Sequence, residues 1–240
     1  MRRVLLVGIL VALAGVGWGQ GMDSTVPMGS MSMPHGAGNM SAHMKLSETR
    51  AMKPGDQAKA DAIAAAAKAA IEPYVDYKKA LADGFVIFLP NVPQKIYHFT
   101  SYQRGIAAAR QFDPAKPTSL LYEKTTDGGY KLVGAMYTDR QRASEAELDE
   151  RIPLSVARWH EHVNFCKAPA GEEREYFGKD ARFGLLGSIS TEKDCAAAGG
   201  TFQPNLFGWM VHVYPFEKDP KEVWSVDRDE DDGDMKGMKM

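Results

Sequence analysis

The spacing of apolar residues changes along the chain and divides it into segments. Val4 to Val16 is an almost unbroken apolar run. Residues 57–71 are Ala-rich, follow Pro54-Gly55-Asp56, and predict a helix that Pro73 interrupts. A second helical segment runs from Tyr74 to Ala82, with Tyr74, Tyr77 and Leu81 on one face and Gly84 as its stop. Beyond Gly84 the rhythm shortens. Phe85 to Leu89 reads as a short strand, and Ile96 to Tyr102 alternates as a second one. Thr118–Glu123 and Tyr130–Thr138 flank Thr-Thr-Asp-Gly-Gly and predict a hairpin whose turn contains Asp127-Gly128. Ser144 with Glu147 forms a capping box for a helix over 145–151, ended by Pro153. Val156 to Cys166 fits a strand on Ala157, Trp159, Val163 and Phe165, and a helix on Val156, Trp159 and Val163; the strand fits better. Thr191 to Ala198 predicts a short helix stopped by Gly199-Gly200. Phe207 to Phe216 predicts a strand with Phe207, Trp209, Val211 and Val213 on one face. Helices first and strands afterwards predict an α+β fold, with N-terminal helices packed on a mainly antiparallel sheet in a single domain over residues 54–226.

The two ends of the chain carry different signals. Arg2 and Arg3 precede the apolar run, and small residues follow at Gly17, Gly19 and Gly21. That order predicts a signal peptide over residues 1–20, cleaved near Gly19 or Gln20, and a mature protein in the periplasm or outside the cell. The run is short for a bilayer span, which sets aside a retained anchor and stable membrane insertion after cleavage. Residues 21–53 are rich in Met, Gly, Ser and Pro without a hydrophobic period, and predict a disordered leader. Residues 227–240 form an acidic tail ending in Met235, Met238 and Met240.

Net charge is −2, and no basic patch interleaved with aromatics occurs, so nucleic acid is not an expected partner. Gly-x-Ser-x-Gly, His-Glu-x-x-His and phosphate-binding Gly loops are missing, which removes the common hydrolase and nucleotide-binding signatures. Cys166 and Cys195 are the two cysteines. In an exported chain an even count reads as a disulfide, with a pair of thiolate metal ligands as the alternative.

Candidate chemistry lies in the histidines. His98, His160, His162 and His212 all fall inside segments read as strands. On a strand, His160 and His162 share a face and two imidazoles at i and i+2 can hold one ion; on a helix they point apart. A histidine in an apolar strand needs a polar partner, which a carbonyl, a carboxylate or a metal supplies. Glu123 ends a further apolar strand, and its carboxylate serves as a ligand, as an orienter of a ligand histidine, as a general base, or as an exposed partner of Lys131. The leader adds a soft-ligand signal: seven of the thirteen methionines lie in it. Met28, Met31, Met33 and His35, followed by Met40, His43 and Met44, offer thioether and imidazole donors suited to capturing and exchanging copper.

Several folded segments taken together show a resemblance. The helix end Ala82-Asp83-Gly84-Phe85, Tyr97-His98, Leu120-Leu121-Tyr122-Glu123 with Asp127-Gly128, and the late His212-Val213-Tyr214 resemble a group of secreted bacterial proteins. Those carry an Ala-Asp-Gly-Tyr helix end, a His-Tyr strand, a Leu-x-Tyr-Glu strand with an Asp-Gly hairpin, and a late Leu-His-Val-Trp strand. Phe99 stands where the group has the second aromatic of its His-Tyr pair, and Tyr214 where it has Trp. No activity is established for the group. The resemblance implies no function; it marks His98, Glu123 and His212 as positions of interest.

Three readings follow. The leading one is an exported metal-binding protein, copper or zinc being the ion, with His98, His160, His162, His212 and Glu123 at a folded site and the Met/His tails collecting metal. The alternatives are a metal-dependent hydrolytic or oxidative enzyme with an open His-ligated site and Glu123 as base, and a structural exported domain without a site.

Overall fold

The computed structural model describes residues 40–91, 94–178 and 180–226. The expected signal peptide, most of the leader and the acidic tail, including Met28, Met31, Met33 and His35, lie outside the described residues. In chain order the elements are α1 (Met40–His43), β1 (Met44–Leu46), α2 (Asp56–Ile71), a 3-10 turn (Glu72–Tyr74), α3 (Tyr77–Ala82), β2 (Val86–Ile87), β3 (Tyr97–Thr100), α4 (Tyr102–Ala108), β4 (Ser119–Lys124), β5 (Tyr130–Thr138), α5 (Glu145–Arg151), β6 (His160–Lys167), α6 (Glu192–Ala197), β7 (Thr201–Asn205), β8 (Met210–Val213) and α7 (Pro220–Val223). The architecture is α+β, as the order of helical and alternating patterns predicts. The sheet runs β1-β6-β8-β5-β4-β3-β2, with β7 pairing on β6, and every pairing is antiparallel.

One face of the sheet is packed by helices. Ala60, Ile63, Ala67 and Ile71 form the buried stripe of α2, at the spacing a helix needs to keep one side inward. They join Tyr97, Phe99, Leu120, Tyr122, Ala135, Tyr137, Val211 and Val213 from the strands, and Leu148, Ile152, Trp159 and Trp209 close the main core. Full burial of a side chain the size of Ile63 or Ile71 contributes about 1.5–3 kcal/mol. The opposite face carries a smaller cluster of Ile96, Leu121, Val133, Met136, Met210 and Tyr214. A third cluster surrounds Cys166 and Cys195 with Ala168, Phe183 and Ile189. These cysteines form a disulfide with Cα atoms 5.7 Å apart, so the alternative of two thiolate metal ligands does not hold.

Several expected boundaries are corrected. Residues 40–53, expected to belong to a disordered leader, carry α1 and β1. β1 pairs with β6 through Met44–His162, Lys45–Glu161 and Leu46–His160. The Ser47 N–H then donates to the Trp159 carbonyl. Arg50 bonds both Asp56 and Asp149, fixing the chain at the start of α2. These backbone and ionic partners replace the hydrophobic period that residues 40–53 lack. The first strand after Gly84 keeps only Val86–Ile87, because Leu89 adopts φ 47°, which no strand accommodates. Residues 101–108 form a helix rather than the end of a strand, with Ser101 as its cap. The ambiguous segment resolves as a strand that begins only at His160. The Pro153 carbonyl accepts from the Val156 and Ala157 N–H groups and holds the preceding turn off the sheet. The last strand shortens to Met210–Val213: Gly208 passes so close to the Asp139 carbonyl that no side chain would fit there, and Phe207 packs on Phe88 outside the core. The capping box appears as expected: the Glu147 N–H donates to Ser144 Oγ at 3.3 Å and the Ser144 N–H donates to Glu147 Oε2 at 2.8 Å.

Candidate metal centre

Strand alternation decides which side chains share a face. Phe99, Leu120 and Tyr122 point into the helix-packed core, so His98, Leu121 and Glu123 point to the other side. The pairings carry that second face across the sheet: Leu121 lies opposite Gly134, Met136 opposite His212, and Met210 opposite His160. His162 follows two residues after His160, opposite Met44 of β1. His98, His160, His162 and His212 therefore occupy one face, contributed by β3, β8 and β6.

Their rings form a continuous row. His98 and His212 have centroids 5.4 Å apart, His212 and His160 4.9 Å, and His160 and His162 5.5 Å. The Nε2 atoms of His98 and His212 stand 3.3 Å apart. His160 and His212 in the middle are buried, at 3% and 5% exposure. His98 and His162 at the ends are half-buried, so the row is reached from its ends.

This proximity requires a bend. β3 and β8 are three strand steps apart in the sheet, a separation of about 14 Å on a flat surface. Imidazoles on such a surface cannot touch. They meet because the sheet curls around the histidine face, making it concave. Two features of β5 permit the curl. The register slips between Leu121 and Tyr122, which leaves Val133 as an extra residue in the ladder. Next to it Gly134 has no side chain where the Val213 carbonyl and the Tyr214 ring close in; a Cβ there would lie 2.4 Å from the carbonyl oxygen.

A second irregularity ends the row. Asn164 adopts φ 55°, a left-handed conformation that Asn tolerates better than most residues. From Val163 to Lys167 β6 pairs with β7 on either side of this residue, and the disulfide follows at Cys166. The Asn164 side chain donates to the Ala42 carbonyl at 2.8 Å. His43 was expected to be a metal-collecting residue of a flexible leader. It is instead fully buried, with Nδ1 3.0 Å from the Asn164 carbonyl oxygen and Nε2 2.8 Å from that of Gly187. Both ring nitrogens are engaged by carbonyl oxygens, and the residue holds α1 onto β6. Met40 opens α1, while Met44 faces His162 across β1 and β6.

Glu123 lies on the histidine side of β4 by alternation, at the strand's end. Its carboxylate is 3.6 Å from Lys131 Nζ on the neighbouring strand. Glu161, between the two histidines of β6, faces the other way and pairs with Lys45 at 3.3 Å.

The chemistry available to the row follows from imidazole. Each ring offers one lone pair when neutral, and neutral imidazole ligates Zn, Cu, Fe and Ni. Two nitrogens each ~2.05 Å from one tetrahedral ion stand ~3.3–3.4 Å apart. The His98–His212 separation has that value, which equally suits an N–H···N hydrogen bond between one protonated and one unprotonated nitrogen. Among the described residues, no group of three or more His, Cys, Asp or Glu side chains is placed to hold a metal ion as the side chains stand. The row runs along the concave face rather than closing on a point.

Sequence reasoning missed the methionines of this face. Met136 and Met210 suggest no chemistry in the sequence, and Met44 falls in the expected leader. The spacing Met210-x-His212 on a strand was the available signal, because i and i+2 share a face. Elsewhere, a depression of about 430 Å³ lies between α3 and α4, lined by Ala82, Asp83, Gly84, Ser101, Tyr102 and Gln103. Among the described residues no helix is long and apolar enough to cross a membrane. The disulfide fits an oxidising compartment. Comparison with known proteins gives no match: no family model, no curated protein and no solved structure matches the chain significantly.

Proposed function

We propose that the protein is an exported metal-binding protein whose site is the histidine row His98–His212–His160–His162. The observation that carries this reading is the convergence of His98, His160, His162 and His212, four of the five histidines among the described residues, onto one concave face, from three strands, with neighbouring rings 4.9–5.5 Å apart. Histidines kept only as polar members of a core have no reason to gather. The half-buried ends give an ion a way in. Glu123 stands on the same side as a further carboxylate for orienting a ligand or drawing a proton from bound water. Met44, the last methionine before β1 continues to Leu46, lies opposite His162 on this face. In this reading the leader captures the ion and the row holds it, in the periplasm or outside the cell, after removal of the signal peptide.

The test is metal content by elemental analysis. The full chain is prepared with Met22, Met28, Met31, Met33, Met235, Met238 and Met240 replaced by Leu and His35 by Asn, so that only the folded face can respond. It is loaded with copper or zinc, desalted, and compared with the same chain carrying His160→Ala and His212→Ala. The reading predicts close to one ion per chain, lost in the double variant. A metal-free tail-replaced chain overturns it.

A further inference from the structure

We infer that the face is built for a soft monovalent ion, Cu(I) being the one a cell supplies, with three methionines as ligands beside the histidines. This rests on the histidine row being a metal site and adds which ion it selects.

The argument is one of register. In an antiparallel pair, directly opposite residues have Cβ atoms about 4.5–5.5 Å apart and point the same way. Three of the four histidines have a methionine as their opposite residue: His162 faces Met44, His160 faces Met210, and His212 faces Met136. These methionines come from β1, β8 and β5, three different strands, so the repetition is not a local sequence bias. The described part of the chain contains only five methionines, Met40, Met44, Met52, Met136 and Met210, and three of them take these positions. Met136 and Met210 are each 6% exposed and belong to the small apolar cluster lining the concave face. A methionine side chain spans the cross-strand distance and can bring its sulfur beside the imidazole opposite.

Thioether sulfur is neutral, polarisable and weakly basic. It binds Cu(I) and Ag(I) well and contributes little to a zinc or Cu(II) site. Mixed imidazole and thioether donors in a largely buried, apolar setting favour an ion of single positive charge, whose desolvation is cheaper than that of a divalent ion. Carboxylates, which would raise affinity for hard divalent ions, are sparse on this face. Glu123 is at its margin beside Lys131, and Glu161 points into the opposite side. The bland alternative is that Met44, Met136 and Met210 merely fill space, as methionine does in many cores. The two accounts differ in one respect: a filler can be replaced by leucine without consequence for the ion.

The experiment uses the tail-replaced full chain and a version also carrying Met44→Leu, Met136→Leu and Met210→Leu. Leucine conserves volume and apolar character, and unchanged circular dichroism and melting confirm that the variant folds. Cu(I) affinity is measured anaerobically, under ascorbate, against a competing Cu(I) chelator. Zn(II) affinity is measured separately, and X-ray absorption reports sulfur around the bound copper. The inference expects Cu(I) affinity to fall about tenfold or more in the leucine variant, zinc affinity to stay within twofold, and the sulfur shell to vanish. Equal Cu(I) affinity in the two proteins, with no sulfur around copper, overturns the soft-ion inference and leaves the histidine site standing. Failure of the tail-replaced chain to bind either ion overturns both. A leucine variant that does not fold is replaced by Met210→Leu alone, read by the same sulfur signal, and undiminished sulfur there counts against the inference.

Discussion

Replacing Gly134 by alanine tests how the curl of the sheet assembles the histidine row. An added Cβ would lie 2.4 Å from the Val213 carbonyl oxygen and 2.9 Å from Tyr214 Cδ1. The first of these neighbours is backbone, which cannot rotate away as a side-chain tip can. Ordinary carbon–oxygen contact requires β5 and β8 to part by nearly an ångström, where the sheet already bulges at Val133. Overpacking of this kind costs about 1–3 kcal/mol. For a domain of this size each kcal/mol lowers the melting temperature by about 2–4 °C, so a drop of roughly 2–12 °C is expected. Because β8 carries His212, the same displacement pulls its ring from His98, and metal affinity falls with stability. Gly105→Ala is the internal control. Its Cβ meets only Thr118 Cγ2 at 3.4 Å, and it lies inside α4, where alanine is favoured over glycine by about 0.5–1 kcal/mol. Thermal melts followed by circular dichroism should therefore show Gly134→Ala falling while Gly105→Ala holds or rises. A Gly134→Ala protein that melts within a degree of the parent and binds metal equally would refute the assignment of Gly134 as the hinge of the curl.

Three further outcomes follow from the fold. Replacing both Cys166 and Cys195 by alanine opens a loop of 29 residues, which on the chain-entropy model removes about 3.6 kcal/mol; urea unfolding of the double variant should show that loss, and a change under about 1 kcal/mol would contradict it. Stability should decline in acid. Arg50, the Ser155 hydroxyl and the Lys53 N–H hold the Asp56 carboxyl well below the usual carboxylate range. The unfolded chain then binds more protons than the folded one below about pH 4, so this contribution is intact above that pH and disappears as pH falls through the depressed value. In Asp56→Asn the deficit relative to the parent should be largest near neutrality and shrink below about pH 4, as measured by urea unfolding across pH; a deficit independent of pH would contradict the assignment. Asn164→Ala should destabilise more than Asn164→Gly, since alanine meets the left-handed backbone with strain while glycine loses only the side-chain bond to Ala42.

Elements whose chemistry is local were legible in the sequence. The hairpin announces itself through Asp127-Gly128, α5 through its capping box, and α2 through an alanine-rich stretch after Gly55. Pairing between distant segments was not. Nothing in residues 40–53 signals that they add a strand to β6, because three residues of β1 are too few for a period and their partners lie more than a hundred positions away. The four candidate histidines were legible one by one, since each interrupts an apolar strand. That they share a face depends on the register of β3, β4, β5, β8 and β6 together, and that they touch depends on a curl set by Val133 and Gly134. The methionines opposite them were hidden for the same reason. His43, in turn, reads in sequence as one more soft ligand of a Met-rich leader, whereas burial against two carbonyl groups makes it an anchor.

The central claim, that four imidazoles act as one metal site, is tested most directly by long-range nitrogen–proton NMR of the histidine rings in the tail-replaced full chain. One equivalent of Ag(I) or Zn(II) is added, and the nitrogen resonances of His98, His160, His162 and His212 are followed. The account predicts that at least three of the four rings shift together and saturate at a single equivalent, while His43 stays in place. Rings that shift independently, or that remain unmoved while metal binds elsewhere, would contradict it.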